Sequence, residues 1–276
     1  MRRAAPSIAR GDLPFPHFGI GRKLLDGLRH GYEYAAFFTL LAVFGLGSLL
    51  WSALAILLHV ALPRRRGEKF GQFMNMAGSR FFVAAMEMSG LIRCDLRALD
   101  GLRRNGAIVI APNHPSLLDA ILVLSRLPRV VCITKPGIWK NAFLLGAAKL
   151  AGFIHNDAPI PLVKGAAAQA RAGHHLLVFP EGTRTVRPPV NGFKGGFALI
   201  AKRAGVPVQT VFVESNSAFL GKSWPLFKKP EFPLIYRMRL GRRFKTSGDR
   251  RAFVAEMEAY YRRELGARKP VSPFPE

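Results

Sequence analysis

The sequence predicts an α/β domain built on a mixed, largely parallel sheet flanked by helices, preceded by an N-terminal membrane-attached helical region. Two observations carry this prediction. Short apolar, β-rich stretches alternate with helical stretches from about residue 93 onward, which is typical of a parallel sheet between helices. Ahead of them, residues 34–62 contain no Asp, Glu, Lys or Arg and are long enough to meet a membrane.

The chain carries a large positive charge. Its 276 residues include 41 Lys and Arg against 17 Asp and Glu, a formal net charge of +24. Such a charge needs anionic partners, which are membrane lipid, an acidic substrate or carrier, or nucleic acid. Because 49% of the residues are hydrophobic, anionic membrane lipid is favoured. The sequence has no zinc-ligand spacing, RNA-binding aromatic strand or basic zipper, so no nucleic-acid partner is expected.

The N-terminal region divides into two segments. Residues 1–33 are basic and interrupted by prolines and glycines, which predicts an irregular segment. As one helix, residues 34–62 would be about 43 Å long, against about 30 Å for a bilayer core. They predict either a tilted single span or a hairpin within one leaflet, bending near Gly45–Ser48. Basic flanks favour the hairpin, because they draw both ends to the cytoplasm. These flanks are Arg22, Lys23 and Arg29 before the run and Arg64, Arg65 and Arg66 after it.

Residues 70–92 predict an apolar, partly amphipathic helix that completes a membrane-associated helical region, 34–92. The only cysteines, Cys94 and Cys132, do not form a disulfide framework, so a reducing compartment is expected. The remaining chain, 93–267, then lies on the cytoplasmic face of a membrane, the inner one if the source is bacterial. A Pro-rich tail, 268–276, is predicted to be frayed.

The region 93–267 reads as alternating strands and helices. Four apolar stretches predict buried strands at 107–111, 130–134, 176–179 and 208–213. Periodic stretches predict helices at 116–126, 138–151, 164–172, 194–204 and 249–265. Residues 235–240 predict an edge strand with Arg237 and Arg239 on its outer face. Open sheets of this kind bind ligands at the carboxyl ends of their strands.

The segment Ala111-Pro-Asn-His-Pro-Ser-Leu-Leu-Asp119 follows the first of these strands. In one continuous helix, His114 and Asp119 would lie about 140° apart, so they meet only if His114 is in the loop and Pro115 opens the helix. Asp119 would then bond one imidazole nitrogen and leave the other as a general base. Because no Gly-x-Ser-x-Gly nucleophile motif is found, the attacking group is expected to be a substrate hydroxyl.

A second segment, Val178-Phe-Pro-Glu-Gly-Thr-Arg-Thr185, follows another apolar strand. Glu181 and Arg184 lie on either side of the flexible Gly182. Arg184 is suited to a phosphate by bidentate bonds, and Glu181 to a glycerol-like hydroxyl. The alternative is a turn in which the two side chains pair with each other.

Three further residues are candidates for substrate contact. Phe193-Lys-Gly-Gly196 opens a helix with Lys194 and free backbone amides, which suits an anion, although a simple Gly-rich turn has the same pattern. Asn113 and Ser116 flank His114 in the first segment. We assign all three to substrate binding, and Ser116 also reads as a helix-start hydroxyl.

Residues 113–119 and 179–184 resemble the first and third signature blocks of the glycerolipid acyltransferases, the PlsC-like lysophosphatidic acid acyltransferase superfamily. The blocks occur in the family's order, and the resemblance covers roughly residues 70–245. It implies a glycerolipid-acyltransferase-like fold over 93–267, and a membrane-attached helix pair of the kind that 34–92 can form.

The resemblance also implies a reaction and its residues. An acyl group would pass from acyl-CoA or acyl-carrier protein to the free hydroxyl of a lysophospholipid, in the first place lysophosphatidic acid, giving phosphatidic acid. No metal and no cofactor are expected. The implied roles are general base for His114, orientation of that base for Asp119, and acceptor binding for Glu181, Gly182, Thr183 and Arg184.

Two stretches depart from the family pattern. The second block has an arginine for the acceptor phosphate, whereas residues 152–158 read Gly-Phe-Ile-His-Asn-Asp-Ala. The fourth block, 206–210, matches only in part. One alternative is therefore a phosphate-free lyso-lipid acceptor, of the lyso-ornithine type or the lipid anchor of a pigment or polyketide. An alternative of another class is a non-enzymatic, basic membrane-surface binding protein, which the charge and the apolar run fit but the two blocks do not.

Overall fold

A seven-stranded sheet, in the order β1-β7-β6-β2-β5-β3-β4, forms the centre of the computed structural model, which describes residues 18–246 and 248–267. All neighbouring strands are parallel except the antiparallel pair β6–β7. This confirms the predicted mixed, largely parallel sheet. The strands are β1 Ile92–Asp95, β2 Val109–Pro112, β3 Val130–Thr134, β4 Ile154–His155, β5 His175–Leu177, β6 Val208–Ser215 and β7 Leu234–Phe244.

Helices cover both faces of the sheet. The first three helices pack on one face and contribute Phe37, Val83 and Leu122 to its core. The last three pack on the other, where Phe197, Phe253 and Tyr261 are buried. This two-sided cover explains why the central strands are continuously apolar. The helices are α1 Phe18–Ala61, α2 Arg64–Met88, α3 Leu118–Leu124, α4 Pro136–Trp139, α5 Leu145–Leu150, α6 Pro159–Arg171, α7 Gly196–Ala204 and α8 Arg250–Gly266, with a 3-10 helix at Arg97–Leu102.

Two predictions for this domain are wrong. Residues 235–240 do not form an edge strand, because they lie in β7, which pairs with β6 on one side and with β1 on the other. Strand β1 is not among the predicted strands, and its first residue, Ile92, falls at the end of the predicted helix 70–92. The predicted helix 138–151 is divided into α4 and α5. The side chain of Asn141 accepts a bond from the Phe143 N–H (2.9 Å), a local turn that competes with the helix.

The N-terminal region is a pair of helices. Helix α1 runs unbroken through Gly45 and Gly47, so the predicted hairpin bend near Gly45–Ser48 is wrong. A glycine inside a helix costs only about 1 kcal/mol, whereas Pro63 interrupts the backbone hydrogen bonds and separates α1 from α2.

The predicted irregular segment 1–33 is also wrong from residue 18 onward. Extending an existing helix adds one hydrogen bond per residue without a new nucleation step, so the apolar run carries the helix toward the N-terminus. Residues 1–17 of that segment and the tail 268–276 lie outside the described residues.

Helix α1 is bound along its length to the rest of the protein. Toward its C-terminal end, the Trp51 indole donates to the Asn75 side chain on α2 (3.1 Å), and the Ser52 hydroxyl accepts from the Gly146 N–H on α5 (2.9 Å). Its residues 23–61 are long and apolar enough to cross a membrane, and only 11% of the most apolar window is buried. The opposite face of α1 is therefore an exposed apolar surface on a helix anchored to the domain.

Gly146 allows the close approach of α5 to α1. A Cβ at this position would overlap the Ser52 carbonyl oxygen, whereas a Cβ at Gly78 of α2 would meet no atom within 4 Å. We expect Gly146→Ala to lower the free energy of unfolding by about 1–3 kcal/mol, and the control Gly78→Ala to leave it unchanged or raise it by up to about 1 kcal/mol. Denaturant unfolding in detergent measures both. Equal effects would contradict the α1–α5 packing.

Candidate active site

The two sequence blocks meet at the carboxyl edge of the sheet. The first block follows β2 and the second follows β5, and β2 lies between β5 and β6 with both pairings parallel. Parallel neighbours end at the same edge, so the loops after them lie side by side. The Thr185 N–H donates to the His114 carbonyl (2.7 Å), which joins the two loops directly.

His114 and Asp119 form a hydrogen-bonded pair. His114 lies in the loop before α3, and its Nδ1 is 2.9 Å from Oδ2 of Asp119, which is fully buried. The same oxygen accepts the Ser116 N–H (2.8 Å). Burial raises the pKa of Asp119, and the bond from His114 opposes this rise. With Nδ1–H directed at the carboxylate, Nε2 carries the lone pair of a base.

The imidazole of His114 has a second neighbour in the other block. Its ring stacks on that of Phe179, with 3.7 Å between centroids and 17° between planes. Only 13% of the side chain is exposed, so the ring is held between the carboxylate and the aromatic face while its outer edge reaches solvent. The predicted pair is confirmed as a contact; its role as a base stays a prediction.

Glu181 is a buried residue whose carboxylate oxygens are bonded to protein donors. Its carboxylate is 1% exposed, and one oxygen accepts the N–H of His114 (2.9 Å) and the hydroxyl of Thr185 (2.8 Å). The other accepts the Asn191 N–H (2.8 Å) and the same hydroxyl (2.9 Å). The alternative pairing with Arg184 is not found among the described contacts. Acceptor binding by Glu181 stays a prediction, which the burial of its carboxylate does not support. Glu181 instead fixes the backbone on which His114 stands.

Arg184 reaches a third loop, the one that follows β6. Its Nη1 donates to the carbonyls of Leu220 (2.9 Å) and Gly221 (2.7 Å). The Leu220 carbonyl also accepts the Leu117 N–H at the start of α3 (3.1 Å). Among the contacts described, Nε and Nη2 of Arg184 take no protein partner, which leaves donors for an anion.

Gly182 and Lys194 are close neighbours. Gly182 has a φ of +64°, and a Cβ there would lie 3.0 Å from Cδ of Lys194. Glycine is therefore required both by the left-handed backbone and by the lysine that crosses it. Lys194 is exposed beside the Glu181–Arg184 turn, where the sequence predicted an anion site, and Thr183 is half-buried in the same turn.

Sequence reasoning missed two cations at this edge. Lys135 directly follows β3, and Lys222 directly follows Gly221. The pKa of Lys135 is lowered by partial burial and by the charges of Lys194, Lys222 and Arg184. The charges of Lys194, Lys222 and Arg184 therefore act on Lys135, and these four residues are named here the cation cluster. The position of Lys135 directly after a predicted parallel strand could have indicated that it lies at the site. No sequence feature indicated this for Lys222.

Asn113 and Ser116 have positioning contacts rather than open ones. The side chain of Asn113 donates to the Val213 carbonyl (2.9 Å) and accepts the Val213 N–H (2.7 Å), which ties the first block to β6. The Ser116 hydroxyl donates to the Phe219 carbonyl (2.9 Å) and accepts from the Leu118 N–H (3.2 Å). Both side chains are buried, so the contacts do not support the predicted substrate binding by either.

The stretch that lacks the expected arginine ends in a second His–Asp pair. His155 closes β4, and its Nδ1 lies 2.8 Å from Oδ2 of the exposed Asp157. This pair lowers the pKa of Asp157. No group of three or more His, Cys, Asp or Glu side chains in the described part of the chain is placed to hold a metal ion.

Comparison with known proteins identifies the domain. A family model described as Acyltransferase matches residues 93–214, which include His114, Asp119, Glu181 and Arg184. Residues 93–214 are thus similar to the acyltransferase family. The whole chain is similar to the crystal structure of the 1-acyl-sn-glycerophosphate (LPA) acyltransferase PlsC from Thermotoga maritima, with a TM-score of 0.60 over 89% of this chain and 99% of that one. At 17% identity, this similarity concerns the fold.

The comparisons confirm the predicted PlsC-like resemblance. They favour an acyltransferase over a non-enzymatic membrane-binding protein, because the matched region contains both sequence blocks. They do not identify the acyl donor or the acceptor.

The contacts of Glu181 predict the outcome of its replacement. In Glu181→Gln, the amide must face at least one of the bound donors, so a buried backbone N–H loses its acceptor. We expect the free energy of unfolding to fall by about 1–3 kcal/mol and kcat for acyl transfer to fall with little change in KM. Denaturant unfolding and steady-state kinetics measure this, with the exposed Glu231→Gln as the control. Unchanged stability with a raised acceptor KM would instead indicate direct acceptor contact.

Proposed function

We propose that this protein is a membrane-bound O-acyltransferase that transfers a fatty acyl group from a thioester donor to the hydroxyl of lysophosphatidic acid, giving phosphatidic acid. The carrying observation is the His114–Asp119 pair (2.9 Å) at the same sheet edge as the cation cluster. A base beside an anion site fits an acceptor that carries a hydroxyl and a phosphate. The family match of residues 93–214 supports the class of reaction.

The reaction needs one base and no protein nucleophile. Asp119 holds His114 with Nδ1–H toward the carboxylate, so that Nε2 accepts the proton of the acceptor hydroxyl. The oxygen attacks the thioester carbonyl and forms the acyl–oxygen bond. The tetrahedral intermediate then collapses, the acyl–sulfur bond breaks, and the thiolate takes the proton from Nε2. Asp119 stabilises the imidazolium that exists between the two proton transfers.

The cation cluster supplies the acceptor's phosphate site in this proposal. Arg184 keeps Nη1 on the β6 loop and offers Nε and Nη2, while Lys135, Lys194 and Lys222 add ammonium groups. Together they compensate for the missing arginine of the second block. A bound phosphate would also relieve the mutual repulsion of the cluster, so binding is favoured by the same charges that lower the pKa of Lys135.

The donor is acyl-CoA or acyl-carrier protein. Both carry a thioester that is already activated, so no metal or prosthetic group is needed for the step above. Both are also strongly anionic, which suits a chain with a formal net charge of +24.

The helix pair attaches the protein to anionic membrane lipid in this proposal. At 44 residues, α1 is about 66 Å long, roughly twice the thickness of a bilayer core of about 30 Å. Its Ser52 is bonded to α5, and its Glu33 to Lys229 of the domain (2.7 Å). A helix bound to the domain at both places lies along the membrane, with its exposed apolar face in one leaflet. The domain then faces the cytoplasm.

A second candidate acceptor is a lyso-lipid without a phosphate. The observation that favours it is the stretch after Gly152, where Asp157 stands exposed close to the position at which the family pattern has its arginine. A carboxylate there repels a phosphate and attracts an amine, as in a lyso-ornithine-type head group that carries both a carboxylate and an amine. The lipid anchor of a pigment or polyketide is the other phosphate-free possibility.

The proposed base and its orienting residue make a direct prediction. His114→Ala should abolish transfer from acyl-CoA to lysophosphatidic acid, and Asp119→Asn should lower kcat by up to about 10⁴-fold, the loss known for an orienting Asp in a triad. Product formation with radiolabelled acyl-CoA and purified, folded variants measures both. The exposed His30→Ala is the control. Wild-type turnover by His114→Ala would refute the assignment.

Lys135 makes the acceptor testable. Lys135→Ala should raise the KM for lysophosphatidic acid by about 10–100-fold, because one charge-assisted contact to the phosphate is lost, and should leave the KM of the acyl donor unchanged. Lys202→Ala, at the far end of α7, is the matched control. The same assay is run with a lyso-ornithine-type acceptor. Faster transfer to that lipid by the wild type, with no effect of Lys135→Ala, would favour the phosphate-free candidate.

A further inference from the structure

The segment between β6 and β7, residues 216–233, has an apolar exposed tip. This segment is called here the β6–β7 loop. At its tip Leu226 is 50% exposed and Phe227 is 70% exposed. Neighbouring large apolar side chains in water lose the favourable free energy of burial, and contiguous apolar surface of this kind marks a contact site.

Cationic and aromatic residues surround this tip. Lys222 and Lys228 are both exposed, and the Lys228 ammonium lies 5.2 Å from the centre of the Trp224 ring. These residue types are typical of a membrane interface. Apolar side chains enter the bilayer, a Trp lies at the headgroup level, and lysines pair with anionic lipid. The charge of the loop is thus complementary to an anionic bilayer.

The β6–β7 loop is continuous with the membrane face of α1. Lys229 donates to Glu33 of α1 (2.7 Å), and both side chains of this pair are nearly buried. Phe37 of α1 packs against Phe232, with 6.1 Å between ring centroids. The next residue, Phe38, is 42% exposed on the outside of α1. The β6–β7 loop therefore packs against α1 through residues that lie a few positions after the tip.

We propose that Leu226 and Phe227 insert into an anionic bilayer beside α1, as a second membrane contact, and that this contact orders the loop that positions the catalytic residues. This inference rests on the proposed function for the attachment of α1 to a membrane. The occupant of the surface is lipid, with Lys228 at the headgroups.

Three carbonyls link the loop to the active site. Phe219 accepts from the Ser116 hydroxyl, Leu220 from the Leu117 N–H and from Arg184, and Gly221 from Arg184. Leu220 has a φ of 54°, in the left-handed region that residues with a side chain rarely adopt. Such a conformation persists only where surrounding contacts hold it. A lipid-anchored tip adds to those contacts and steadies the start of α3 and Arg184.

The depth of the tip is measured with an environment-sensitive fluorophore on a cysteine. Phe227→Cys is labelled in the full chain, since native Cys132 is buried and Cys94 half-buried, and wild type treated in parallel gives the labelling background. On phosphatidylglycerol-containing vesicles, we expect a blue shift and increased intensity. The control, Ala259→Cys on α8 at the other face of the sheet, should not shift. Vesicle binding without a shift at position 227 would overturn the proposal.

Kinetics test the coupling to the site. Phe227→Ser should lower kcat/KM about tenfold for an acceptor embedded in vesicles, and leave it unchanged for a short-chain acceptor that is monomeric in water. The control Ile160→Ser replaces a side chain with similar exposure, 69%, on α6. Equal loss on both acceptors, or equal loss in the two variants, would overturn the coupling. A wild type that is inactive on both acceptors would refute the proposed function instead, while the fluorophore still tests insertion.

Discussion

The buried carboxylate of Glu181 accepts hydrogen bonds from the His114 backbone, the Asn191 backbone and the Thr185 hydroxyl, and the arrangement of the site depends on these bonds. A carboxylate removed from water is costly unless its oxygens are satisfied, so the donors must be in place whenever the domain is folded. One of them, the His114 N–H, belongs to a loop that is 67 residues away in the sequence. The hydrogen bond from the His114 N–H offsets part of the free-energy cost of burying Glu181. The same bond holds His114 at a fixed place beside the second block.

The cation cluster differs from the Glu181 carboxylate, because its charges have like charges as neighbours. The charges of Lys194, Lys222 and Arg184 lower the pKa of Lys135, and the proposed anionic ligand would offset that repulsion. The proposed phosphate site thus accounts for a group of cations that folding alone does not require. Asp157, which follows β4, has the opposite charge, and a phosphate and a zwitterion differ in how they meet it.

The long apolar helix and the candidate site share structural elements in this fold. Helix α1 is bonded to α5 through Ser52 and to the β6–β7 loop through Glu33, and the same loop accepts hydrogen bonds from Ser116, Leu117 and Arg184. An exposed apolar helix with few contacts would act only as an anchor. Here the helix and the loops of the candidate site are in direct contact, so the proposed lipid binding would bear on the position of the proposed catalytic residues.

The sequence by itself determined the α/β class, the strand ends that carry His114 and Glu181, and the reaction class, because apolar patterning and contiguous motifs are local. It did not determine which motif residues face the substrate. Glu181 and Asn113 are buried and bonded to backbone groups of other segments. Lys135 and Lys222 lie at the candidate site, although no sequence motif contains them. The sequence also did not determine that α1 is one continuous helix, or that β7 lies between β1 and β6 in the sheet. Those were decided by contacts between residues far apart in the chain, which only the tertiary structure brings together.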